Sequence, residues 1–259
     1  MKKLYDMLSV ARPGKSVSVK KWTEKYIDSL SKYGHFYIDK IGNRYITVGK
    51  DPKIAFTAHT DTVHFQEGIL KLVENKETST LRAVDSVLGA DDGVGCFLLS
   101  EMIQNGVVGL YVFFVEEETG GVGSSYSVEK HFQIYKGIDC MISLDRRGTT
   151  NVITHQGGSR TCSDEFASNL SLALNSFGLE YSPDDTGIFT DSANFVGIIR
   201  ECTNLSVGYF RAHSKEEYVD LIHLQKLRDT LLKIDWNKFS ISNKKGQGVK
   251  SQEESVVEC

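Results

Sequence analysis

Apolar and polar positions along this chain alternate in two periods, one of helices and one of strands. Residues 16–33 place Val19, Trp22, Tyr26, Ile27 and Leu30 at helical spacing, which predicts an amphipathic helix closed by Gly34 in the usual position after a helix C-terminus. Residues 35–39 and 44–48 read as a hairpin around Gly42-Asn43, a pair suited to positive φ. Residues 53–58 form a short buried strand that runs straight into His59, and residues 69–84 hold two more strands. A helix over 93–104, apolar on one side, starts immediately after Asp91-Asp92. Residues 110–115 are a central strand ending at Glu116-Glu117-Glu118, and residues 140–144 are another ending at Asp145. A helix over 163–177, a strand over 203–208 and a helix over 219–235 complete the pattern. From Ser240 the chain turns polar, so residues 240–259 are expected to be a disordered tail.

Strands that alternate with helices define an α/β class with a mixed, largely parallel sheet. Ligands of such sheets sit beyond the carboxyl ends of the strands. Here three of those ends deliver polar residues: His59 and Asp61, Glu117 and Glu118, and Asp145.

Composition narrows the function classes. The chain has 259 residues, 40% hydrophobic and 25% charged, the profile of a soluble globular protein with one large core. Thirty Lys and Arg against 34 Asp and Glu give a net charge of −4, which argues against general nucleic-acid binding. Five scattered cysteines (96, 140, 162, 202 and 259) with no CxxC read as reduced thiols of a cytoplasmic protein. The longest apolar run, residues 110–115, falls far short of the roughly 20 residues that span a bilayer, so no membrane association is expected. The amino-terminal Met-Lys-Lys meets Asp6 and Arg12 before any apolar segment, so no signal peptide is expected. Glycine outnumbers proline 23 to 3, so tight turns depend mainly on glycine.

Each motif has a bland and a chemical reading. His59-Thr60-Asp61 is either a surface pair or a metal ligand whose free ring N–H is fixed by the carboxylate. Asp91-Asp92, in a glycine-rich loop that opens a helix, is either a cap with a first-turn acid or a carboxylate that bridges two metals. A calcium loop is disfavoured, because the D-x-D-x-D-G spacing is absent. Glu116-Glu117-Glu118 is either a solvated turn or a metal ligand beside a general base that acts on water. Asp145 and His213, taken singly, are unremarkable.

Together these segments resemble the co-catalytic dizinc exopeptidases and amidohydrolases, the group that includes peptidase T, glutamate carboxypeptidases, acetylornithine deacetylase and single-domain zinc aminopeptidases. The resemblance rests on AHTDTV (58–63), LGADDGVG (88–95), EEETGGVGS (116–124), SLDRRG (143–148), TGIFTDSANF (186–195) and AHSKEEYVDL (212–221), and it covers roughly residues 1–235. It implies a three-layer sandwich with helices flanking the central sheet. It also implies two Zn²⁺ per chain, with Mn²⁺ or Co²⁺ as alternatives for such N and O donors. His59 and Asp145 would hold one ion, Glu118 and His213 the other, and Asp91 would bridge them. Asp61 would orient His59, Glu117 would be the general base, and Asp92 would be a cap or a supporting contact.

The interval between Asp145 and His213 is too short for the lid domain of the peptidase T branch. One catalytic domain over residues 1–239, with aminopeptidase-type selectivity for short peptides, is therefore expected. A deacylase of small amides uses the same machinery and stays open. An inactive binding scaffold is disfavoured by the complete ligand set, and a phosphoesterase by the lack of a His-rich cluster. Arg146 and Arg147 are either a surface pair or contacts to a substrate carboxylate or phosphate. His155 and Asp191 are further candidates for substrate contact, and His64 reads as an ordinary loop histidine. Oligomeric state is not legible.

Overall fold

A computed structural model describes residues 1–239 and 241. The tail expected over 240–259 lies outside the described residues except for Ile241. The central sheet comprises β1 (His35–Ile38), β2 (Arg44–Val48), β3 (Ile54–His59), β4 (Gly109–Phe114), β5 (Cys140–Arg146), β6 (Asn151–Ile153), β7 (Ser182–Asp184) and β8 (Glu201–Ser206). Their order across the sheet is β7-β6-β8-β5-β3-β4-β2-β1. The central run β8-β5-β3-β4 is parallel throughout, and β2 and β1 add an antiparallel edge. The helices are α1 (Lys2–Leu8), α2 (Val17–Tyr26), α3 (Ala90–Gln104), α4 (Val122–His131), α5 (Asp164–Asn175) and α6 (Leu221–Lys233).

Every residue of β3, β4 and β8 is buried, as expected of strands covered on both faces. The strand period sorts their side chains between two cores. Ile54, Phe56, Ala58, Tyr111, Phe113, Ile142 and Leu144 face α1, α2, α3, α5 and α6. Ala55, Leu110, Val112, Phe114 and Met141 face the other side, where Phe195, Tyr135 and Val128 of α4 pack. This is the three-layer α/β arrangement. Ser16 and Ser163 cap α2 and α5 by accepting from Val19 N and Phe166 N, and Asp220 caps α6 through Ile222 N and His223 N.

A second, four-stranded sheet pairs Leu72–Asn75 with Thr80–Ala83, then Tyr218–Asp220, then Tyr209–Phe210. Its last two strands form a hairpin whose loop carries His213. Val219 is registered on Leu81, which sets that loop over the segment leading into α3.

The structure departs from the local sequence pattern in three places. α2 stops at Tyr26 and continues as a 3-10 turn over Asp28–Tyr33. Gly34 is extended (φ −169) rather than left-handed, and a Cβ there would lie 2.4 Å from the Thr47 carbonyl oxygen, so close approach to β2 requires the glycine. In the hairpin turn only Gly42 of the expected pair has positive φ (104). Asn43 is instead buried, donating Nδ2 to Asp39 Oδ2 and to the Gly123 carbonyl. α1, α4, β6 and β7 are absent from the sequence pattern, because each is too short or too polar to show a period.

Phe56 stacks on Tyr111 at 5.4 Å and meets Trp236 edge-on at 5.0 Å, with no exposed surface. Phe56→Ala should therefore lower the unfolding free energy by about 3–5 kcal/mol in denaturant titration, whereas Leu172→Ala, on the exposed face of α5, should change it by less than about 1 kcal/mol.

Candidate metal centre

The site follows from sheet register. β5, β3 and β4 lie side by side and parallel, so their carboxyl ends share one edge. Thr57 is registered on Ser143, and continuing that register sets His59 beside Asp145. His59 is registered on Phe114, which places Glu116-Glu117-Glu118 just beyond it. The α3 amino terminus brings Asp91, and the hairpin loop brings His213.

Asp91 lies at the middle. His59 Nε2 is 3.1 Å from Asp91 Oδ1, and His213 Nε2 is 3.2 Å from Asp91 Oδ2. His59 Nε2 is also 3.6 Å from Asp145 Oδ1 and 4.0 Å from Glu117 Oε2. His213 Nε2 is 3.2 Å from the buried Glu118 Oε1. His59 is buried, and the His213 side chain is 53% exposed.

Supporting contacts hold these side chains and their loops. The expected partner of the His59 ring is Asp61, but the contact at Nδ1 is the Asp61 main-chain carbonyl at 3.0 Å, with the carboxylate 3.7 Å away. The Asp61 carboxylate instead accepts Glu117 N (3.1 Å) and Glu118 N (3.2 Å), anchoring the glutamate loop to the β3 end. Asp145 Oδ2 accepts from Thr190 Oγ1 at 2.6 Å, and Oδ1 accepts from Tyr209 OH at 3.2 Å. Asn204 on β8 takes up both main-chain groups of Asp145. Asp92 acts as the supporting cap: Oδ2 accepts His59 N and Oδ1 accepts Gly95 N. Gly95 has to be glycine, since a Cβ would lie 2.3 Å from the Leu144 carbonyl. Glu217, with no exposed surface, accepts Leu88 N, Gly89 N and Asp91 N and so holds the Asp91 loop from below.

Crowding sets the proton affinities. Burial, reinforced by Asp145, Asp191 and Asp91, pushes the Glu117 carboxyl up to about 9. Burial and then Asp91 push Asp145 up to about 6. Contacts with Asp91 and Glu118 raise His213 to about 10. Burial draws His59 down, but Asp145, Asp61 and Asp91 outweigh it and hold the ring well above its usual range. Burial likewise opposes ionisation of Asp91, yet His213 and His59 keep its carboxyl below the usual value. Carboxylates crowded around two imidazoles are a donor set with high affinity for cations, protons included.

That set fits divalent metal. His59, Asp91 and Glu118 offer ligand atoms all within 4.8 Å of one another, and so do His59, Asp92 and Asp145. The model of peptidase family M28 matches residues 43–240, most of the chain. The chain belongs to peptidase family M28. Its members are zinc-dependent, and the protein is accordingly a zinc-dependent exopeptidase. Comparison with curated proteins gives no match. Among solved structures, this M28 chain is similar to a tripeptidase from Staphylococcus aureus (13% identity, TM-score 0.74, covering 90% of this chain and 96% of that one). It is similar to aminopeptidase PepT from Bacillus cereus (14%, 0.72, 91% and 96%) and to the TET1 peptidase of Pyrococcus horikoshii (16%, 0.66, 89% and 98%). At such identities the likeness is one of fold.

The M28 chain treats the remaining sequence candidates differently. Asp191 is buried close to Glu117 and Asp145, with Oδ1 unpartnered, and its carboxyl is pushed up to about 7 by burial. Arg146 is buried and donates to Thr186, tying β5 to the turn after β7. Arg147 is exposed. His155 pairs with Arg160 in a small hairpin, with Thr154 Oγ1 on its ring. His64 is a loop histidine held by Thr62 and the Val87 carbonyl. Sequence reasoning missed Glu217, Thr190, Tyr209 and Asn204. Only Glu217 and Thr190 stand inside the motifs that carry the family resemblance. Among the described residues no helix is long and apolar enough to cross a membrane.

Two raised values make a pH prediction for chelator-treated protein. A group whose folded pKa lies above its unfolded value stabilises fully below the unfolded value and loses that contribution as pH rises through the folded one. Glu117 runs from 4.5 to about 9 and His213 from 6.5 to about 10. The melting temperature of chelator-treated protein should therefore fall as pH rises from about 5 to 10, most steeply between about 6.5 and 9 where both groups contribute, and saturating zinc should both raise it and flatten the fall. Differential scanning calorimetry with and without zinc checks this.

Proposed function

We propose that the protein is a dizinc aminopeptidase for short peptides, with one catalytic domain over residues 1–239. The observation that carries this reading is Asp91, one carboxylate with an imidazole on each oxygen. Each imidazole has its own further carboxylate, Asp145 beside His59 and Glu118 beside His213. That arrangement supports two ion positions bridged by Asp91, one held by His59 and Asp145 and the other by Glu118 and His213. Zinc ions bound there supply Lewis acidity, lowering the pKa of the attacking water and polarising the scissile carbonyl.

Glu117 would take a proton from the attacking water and return it to the leaving amine. It is suited to the role because its carboxylate faces the cluster without contacting His213, while its main-chain N–H is fixed by Asp61. Burial and neighbouring acids hold its carboxyl up at about 9, and positive charge added at the centre would lower that value and let the carboxylate act as a base nearer neutral pH. Thr190 and Tyr209 hold Asp145 in orientation.

Glu117→Gln should retain the metal, measured by elemental analysis, and lose about 10²–10⁴-fold in kcat. A variant with native kcat would remove Glu117 from the mechanism. Zinc-loaded protein assayed against aminoacyl amides, di- and tripeptides and N-acyl amino acids should hydrolyse the substrates with a free amino terminus. Turnover confined to N-acyl amino acids would establish the deacylase reading instead.

A further inference from the structure

We propose that Arg12 is a positioning residue of the metal centre, a buried guanidinium that sets the separation of the His59 and Asp91 loops. The proposal rests on the metal-centre reading above. Arg12 lies outside every motif, has no exposed surface, and among the described residues has no carboxylate within ion-pair distance. A buried charge without such a partner is costly and persists only where other contacts hold it.

Those contacts all lead to the site. Arg12 Nε donates to the Thr60 carbonyl at 2.9 Å, and Nη2 donates to the Gly89 carbonyl at 3.2 Å. Thr60 sits between His59 and Asp61, and Gly89 lies on the loop that leads into Asp91. One rigid fork therefore spans the two loops that bring the facing ligand atoms His59 Nε2 and Asp91 Oδ1. The Arg12 carbonyl also accepts Thr62 N at 3.2 Å, docking the amino-terminal segment on the His59 loop. Trp22 supports the guanidinium face at 4.4 Å. Asp92, Asp61 and Glu217 are the carboxylates whose field reaches it. Gly93 makes room: a Cβ there would lie 2.7 Å from Nη2. Glu217 grips the N–H groups of the Asp91 loop while Arg12 grips a carbonyl of the same loop, so the loop is clamped through both polarities.

A fixed cation behind the ligands has two effects of opposite sign on zinc. Its charge repels the ion, whereas its bridge holds the ligands at binding distance. The proposal is that the bridge dominates. Arg12→Met keeps the packing on Trp22 without charge or fork, and Arg12→Lys keeps the charge without the fork. Supporting contacts of metal ligands are typically worth about 10–100-fold in affinity.

Zinc dissociation constants are measured for the full chain by competition with a chromophoric chelator, alongside melting in excess chelator. Both variants should bind zinc at least about tenfold more weakly than the native chain, with Lys no better than Met. Met binding zinc as tightly as native, or more tightly, overturns the proposal. So does Lys at native affinity beside a weakened Met, which would make charge the operative property. A loss of melting temperature with unchanged zinc affinity also overturns it, by making Arg12 a core residue only. If a variant is unfolded in chelator, its zinc-induced refolding midpoint supplies the comparison, and failure to fold at saturating zinc counts against the proposal. A native chain that binds no zinc would instead sink the metal-centre reading itself.

Discussion

The constraint on which this structure turns is the repulsion among acids gathered at one sheet edge. Asp91, Glu117, Glu118 and Asp145 converge on two imidazoles at distances of 3.1 to 4.0 Å. Acids gathered in one buried, low-dielectric cluster oppose one another's ionisation, and cations among them relieve that repulsion. The fold resolves the conflict by dividing the acids into two kinds. Asp61, Asp92 and Glu217 turn both oxygens toward main-chain N–H groups. Glu116 does a related job, accepting Lys15 N and the Thr119 hydroxyl. The candidate ligands differ: the Asp91 carboxylate faces His59 and His213, and the Asp145 carboxylate accepts the Thr190 and Tyr209 hydroxyls beside His59.

This division explains why so little of the site is made of side chain against side chain. The inner carboxylates are held by loops, and the loops are held by the outer carboxylates through the backbone. Backbone N–H groups cannot rotate away or titrate, so they are firm partners for buried acids. Arg12 supplies the complementary grip on carbonyls at Thr60 and Gly89. The arrangement also requires chain segments to pass very close together, as at Gly95 against the Leu144 carbonyl.

Much of the framework is legible in the amino-acid sequence. β3, β4 and β5 are apolar runs that end in polar residues, and the rule that ligands sit beyond parallel strand ends puts His59, Glu117, Glu118 and Asp145 on one edge. The helices expected over 163–177 and 219–235, and the first part of the one expected over 16–33, are present as α5, α6 and α2. By contrast, α4 has only Gly123, Ser124 and Ser127 buried, a pattern with no apolar stripe to detect. β6 and β7, at three residues each, carry no readable period.

What the amino-acid sequence supplied by itself was the set of candidate ligands and their order, because His59, Glu118 and Asp145 follow strand ends, Asp91 opens a glycine-rich helix start, and His213 stands in a segment that resembles the family's ending. What only the tertiary structure decided was how that inventory is held. The partner of the His59 ring is a carbonyl rather than the Asp61 carboxylate, and Asp61 serves the glutamate loop instead. Arg12, Asn204, Thr190, Tyr209 and Glu217 reach the site from segments far apart in the chain. Except for Thr190, which donates to the Asp145 carboxylate, each bonds to backbone atoms of another segment, which every residue possesses alike, so no residue type marks in advance where such a bond will be made.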